Sequence, residues 1–101
     1  MMKMKIKLNE AKAKENGKYT LDEMYKKIDN LANEVNITKK EGKNIYIGNN
    51  DKYDLACFGR IAMALGECHW FLNCVDEWIW HLDDGTQDMI EFYEALRRDA
   101  V

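Results

Sequence analysis

The sequence predicts an α+β fold: a small antiparallel sheet packed with three or four helices. Three observations predict it. A capped amphipathic helix begins at Thr20. Two short alternating apolar runs flank a glycine-bearing turn near 36–48. A Trp-Ile-Trp run near 77–82 has the strand propensity to serve as a third strand.

Residues 3–8 alternate Lys3, Lys5 and Lys7 against Met4, Ile6 and Leu8, which reads as a short strand. Residues 9–18 are polar and pass through Asn16-Gly17, so 1–17 reads as a short strand plus a flexible arm. At Thr20 the pattern sharpens. Thr20 is an N-cap, Glu23 stands three residues on, and Leu21, Met24, Ile28, Leu31 and Val35 form a stripe at helical spacing. The helix spans 21–35. Val35, Ile37, Ile45 and Ile47 surround Lys39-Lys40-Glu41-Gly42-Lys43 and predict a hairpin over 36–48. A second helix covers 52–65, with Leu55, Phe58, Ala62 and Leu65 inward and Gly66 as its C′ glycine.

The stretch 68–82 holds all three tryptophans and both histidines, and it reads two ways. As one helix it carries a full apolar stripe from Cys68 to Leu82. As a helix over 68–75 and a strand over 77–82 it supplies what the hairpin lacks, because two strands alone are marginal in water. That need favours the second reading. Asp83-Asp84-Gly85 is then a turn, and Asp84 or Thr86 caps a last helix over 87–98.

The 101 residues fit one domain, 1–101, and hydrophobic residues at 47% suffice for a core. No apolar run approaches the ~20 residues that cross a bilayer, and the amino terminus lacks the apolar block of a secretory signal. No membrane association is expected. Three cysteines, an odd number, suit reduced thiols in the cytoplasm. The net charge of −3 conceals an asymmetry: residues 1–50 carry +4 and residues 51–101 carry −7.

No constellation of residues has the spacing of a reaction centre. Cys68, His69, Cys74 and His81 are of metal-ligand type, but Cys-x5-Cys is not a zinc spacing. A cysteine nucleophile needs a base in reach, and Cys68 and His69 diverge in either backbone conformation. Asp76-Glu77 and Asp83-Asp84 are adjacent acids, which rarely converge on one substrate. The expectation is therefore no catalytic residue, no metal and no cofactor. What remains is binding. Trp78 and Trp80 beside Asp83, Asp84 and Asp88 resemble a protein-docking face, with aromatic anchors ringed by charge. The competing reading places the tryptophans in the core. Lys39, Lys40 and Lys43 on the hairpin are the alternative, a basic wing for nucleic acid, against which stands the net acidity of the chain. Lysines on an exposed hairpin also serve simply to protect its edge.

The segments Asn73–Leu82, Asp83-Asp84-Gly85 and Asp88–Tyr93, with the start Met4–Ala11, resemble short uncharacterised accessory proteins of phages and integrative elements. The likeness covers about a third of the chain and carries no defining motif. It implies no activity and no site residue; it implies an accessory protein acting on a host protein, including inhibitors of host defence. Together these readings predict a non-enzymatic cytosolic protein-interaction module.

Overall fold

The computed structural model describes residues 1–99. In chain order they form β1 (Lys3–Leu8), α1 (Glu10–Asn16), α2 (Leu21–Glu34), β2 (Lys39–Glu41), β3 (Ile45–Ile47), α3 (Asp54–Gly66), α4 (His69–Cys74), β4 (Val75–Leu82), β5 (Gly85–Asp88) and α5 (Met89–Asp99). The class is α+β. The sheet is larger than expected, five antiparallel strands in the order β2-β3-β1-β4-β5.

The short amino-terminal strand is the centre of this sheet. β1 pairs with β3 on one side (Met4 opposite Tyr46) and with β4 on the other (Ile6 opposite Trp78). Strand alternation then assigns the faces. Met4, Ile6, Tyr46 and Trp78 point to one face and are buried there by Met24, Ile28, Phe58, Ile61, Leu65 and Phe71 of the helices. Lys3, Lys5, Ile45, Ile47, Ile79 and His81 point to the other face and stay half-exposed. Lys3–Glu41 at 3.2 Å and Lys5–Glu77 at 2.8 Å bridge strands across it. One sheet and one helical layer give a molecule only 19 Å thick along its shortest axis.

The flexible arm expected over 9–17 is instead α1. Its signals are caps rather than periodicity. Asn9 accepts from the Lys12 N–H, and Gly17 closes the far end at φ 67°. Asn9 also donates its side-chain amide to the Asp76 carboxylate at 3.1 Å, which ties the helix start to β4. Only Ala13 of α1 is buried, so no apolar stripe marks it.

α2 starts as expected. Thr20 accepts from the Glu23 N–H, and Glu23 accepts from the Thr20 N–H at 3.1 Å, a complete capping box. Its end differs. Asn36 takes the left-handed conformation, Ile37 N–H reaches the Ala32 carbonyl at 2.9 Å, and Asn36 N–H reaches that of Asn33 at 3.0 Å. This is a Schellman cap with asparagine at C′. The hairpin therefore begins only at Lys39, not at 36. The Tyr25 hydroxyl accepts from the Leu8 N–H at 3.0 Å and holds α2 against β1.

α3 is turned relative to the expected face. Asp54 is buried and accepts from the Asn49 and Asn50 N–H groups at 2.9 and 2.8 Å, pinning the loop before the helix. Phe58, Ile61, Ala62 and Leu65 face the core, while Leu55 is 58% exposed. Gly66 is not a left-handed cap. A Cβ there would collide with the Tyr93 ring, whose hydroxyl donates to the Ala62 carbonyl at 3.1 Å. Its role is close approach.

The stretch 68–82 is a helix followed by a strand, α4 then β4. The turn expected at 83–85 narrows to Asp83-Asp84, with the unanticipated β5 beyond it. α5 begins at Met89 rather than at 87. Its cap is Asp88, which accepts from the Ile90 and Glu91 N–H groups at 3.0 and 3.2 Å.

Two stability predictions follow from these joints. Thr20→Ala removes an N-cap and lowers unfolding free energy by about 1 kcal/mol, measurable by urea titration. Gly66→Ala drives a methyl into Tyr93 and costs about 1–3 kcal/mol by the same assay. The capping box also adds a pH dependence. The Thr20 backbone N–H, and then its hydroxyl, hold the Glu23 carboxyl below the ordinary carboxylate value. The folded chain thus binds that proton less tightly than the unfolded chain. This stabilisation is complete above the ordinary value and is lost as pH falls through the lowered one. Glu23→Gln should flatten that part of the acid-side decline.

Candidate docking surface

Both tryptophans of the sequence-predicted docking face lie on the helix-covered side of β4, two residues apart. Their surroundings differ. Trp78 is 0% exposed. It stacks on Tyr93 with ring centroids 5.3 Å apart and takes Phe71 on its edge at 5.0 Å. Its indole N–H donates to the Met4 sulfur at 3.4 Å. Trp78 is thus a core residue and touches no partner, which corrects its place in the docking face.

Trp80 is only partly buried. It lies 6.4 Å from the Phe58 centroid, and its ring tip comes within 3.9 Å of a Cβ built on Gly59. Its indole nitrogen is enclosed without an acceptor among the described residues. An unbonded enclosed donor costs ~1–3 kcal/mol, so Trp80 is the less settled of the two rings.

The acids gather on the unit that follows. Asp83 and Asp84 form the β4–β5 turn, Asp88 ends β5, and Glu91 and Glu94 lie on the first turns of α5; all are exposed. Among the described residues, Asp83 alone of these five has an ion-pair partner, the Met1 amino group at 3.5 Å. Glu94 and Arg98, four residues apart on α5, do not close to 4 Å. Two apolar side chains of α5 are also exposed: Phe92 at 41% and Leu96 at 48%. Phe92 meets Tyr93 edge-on at 5.2 Å. Helical phase places Leu96 beside Met89 and Tyr93, yet it is exposed.

The lysine wing does not assemble. Lys39 points to the open sheet face, while alternation turns Lys40 to the other side, where it pairs with Asp29 at 2.9 Å. Asp29 also accepts from the Tyr46 hydroxyl, whose proton is held more tightly by burial and then by the Asp29 charge. Lys43 lies over the Tyr25 ring at 4.6 Å and 3.7 Å from Asp22. Lys40 and Lys43 are thus held in contacts with α2, while Lys39 makes no ion pair among the described residues.

The residues of ligand or nucleophile type are likewise dispersed. Among the described residues, no group of three or more His, Cys, Asp or Glu converges as a metal site. His69 is exposed at the start of α4, His81 lies on the open sheet face, and Cys74 is buried in the core. Burial pushes the Cys68 and Cys74 thiols up, away from the reactive thiolate. A cleft beside α1, about 450 Å³, is lined by Ala13, Tyr19 and Leu21 with Glu10, Lys14, Lys18 and Glu23, and Glu10 and Lys14 pair with each other there at 3.6 Å. No helix among the described residues is long and apolar enough to cross a membrane. No protein-family model matches the chain, and no curated protein matches it.

The thiols offer a check of this burial. All three cysteines are free. With a disulfide reagent near neutral pH, the folded protein should react slowly at Cys57 and Cys68 and last at Cys74. Denaturant should release all three at once. Rapid native reaction of Cys74, seen by mass spectrometry of the modified peptide, would contradict the packing of α4.

Proposed function

We propose that the protein is a non-enzymatic, cytosolic protein-interaction module that docks on a basic partner protein through β4, β5 and α5. One observation carries this reading. Half-exposed Trp80 and exposed Phe92 and Leu96 lie on the same unit as Asp83, Asp84, Asp88, Glu91 and Glu94, whose charge the chain itself scarcely neutralises. Aromatic and aliphatic anchors supply contact area, and unpaired rim acids steer a basic surface toward them. The reduced thiols support a cytosolic setting. The raised thiols of Cys68 and Cys74 speak against a cysteine nucleophile. The likeness to accessory proteins of mobile elements supports a host protein as the partner, with inhibition of host defence as the expected outcome of binding. The nucleic-acid alternative gains nothing from Lys40 and Lys43, which are drawn into contacts within the chain.

The experiment is a capture from lysate of the native host, followed by kinetics on the purified partner. Asp83→Lys with Asp84→Lys should slow association and make it less sensitive to salt, with dissociation little changed. Phe92→Ala with Leu96→Ala should instead speed dissociation by about tenfold or more. Wild-type kinetics in both variants would defeat the proposed surface.

A further inference from the structure

The outer face of α3 is a second apolar surface, which meets the one just described where the Trp80 ring tip lies beside Gly59. Leu55 is 58% exposed and Met63 is 64% exposed. With exposed Ala56 and part-buried Gly59 they fall within an arc of about 100° on the helix. Large side chains therefore stand at the two ends of the row and small ones in its middle. Ala56 and Gly59 let another helix approach closely there, to roughly 8 Å between axes.

The charges at the ends of this row are unlike. Lys52 precedes α3 and Glu67 follows it; both are exposed, and neither makes an ion pair among the described residues. They stand almost equally far from Gly59 along the chain, as Leu55 and Met63 do. We propose that this face pairs with a second copy of the same chain, α3 against α3 in antiparallel, about a two-fold axis near Gly59. In that arrangement Leu55 of each copy meets Met63 of the other, and Lys52 of each meets Glu67 of the other. One surface supplies both halves of every contact, as an isologous interface requires.

A single helix pair is small, so the dimer belongs to the weak class that buries under about 1,200 Å² in total. The test is sedimentation of the full chain over rising concentration, from about 10 µM to about 1 mM, the range suited to weak association. The average mass should rise from 11.9 kDa toward twice that value. Met63→Asp should hold it at the monomer mass. Lys52→Glu and Glu67→Lys should each lower association by about tenfold, and the chain carrying both exchanges should recover it. All three positions are exposed, and circular dichroism checks that each variant is folded. A wild-type chain that stays monomeric throughout overturns the proposal. So does association that persists in Met63→Asp, and so does a double exchange that fails to recover what the single ones lose.

Discussion

The burial of Trp78 is the constraint on which the rest of the structure depends. A tryptophan removes ~200 Å² from water, which at ~25 cal/mol per Å² is worth roughly 5 kcal/mol. That is of the order of the whole net stability of a domain this size. The ring occupies the junction of four elements. Met4 of β1 accepts its N–H, Phe71 of α4 closes one edge, and Tyr93 of α5 stacks on its face. Tyr93 reaches that position only because Gly66 offers no side chain, so α3 is fitted to the same ring. Removing water on every side in this way also explains the short α4. Six residues suffice to bring Phe71 and Cys74 under the ring before the chain turns straight into β4.

The legible parts of the fold were those with a local physical signature. The Thr20–Glu23 box, the stripe behind it and the alternation around Gly42 are short-range patterns, and α2 and the β2–β3 hairpin follow them. The stretch 68–82 yielded to a different kind of argument, the need of an incomplete sheet for another strand. Elements without apolar periodicity escaped. α1 is defined by its two caps and buries one alanine, while β5 has four exposed residues and is held by the register of β4 alone. Asn36 misled because a Schellman cap ends in an apolar residue, Ile37, that imitates the start of a strand.

The functional reading shows the same division. Local sequence brought Trp78, Trp80 and the acids together, and the acids do gather on one unit. It does not separate the two tryptophans, because alternation gives them the same face. The difference lies in what arrives from far along the chain: Tyr93 covers one ring, and Gly59 leaves the other beside a bare helix edge. Leu96 posed the converse difficulty. Its helical phase is inward, yet it is exposed. The lysine wing failed for a strand-level reason, since neighbours on an extended chain point to opposite sides.

The position of β1 has a consequence for how the chain is made. The central strand is synthesised well before its partner Trp78, which follows Met4 by 74 residues. At translation rates of ~5–20 residues per second, β1 waits on the order of 4–15 s for β4 to emerge. Through that interval the strand that carries Met4, Ile6 and Leu8 has only its β3 side paired, and the edge that awaits β4 stays open. The lysines between them place a positive charge at every second position, and such gatekeepers keep like strands from joining. Lys3, Lys5 and Lys7 thus protect the nascent strand first, and Lys3 and Lys5 only later settle into the cross-strand bridges of the finished sheet.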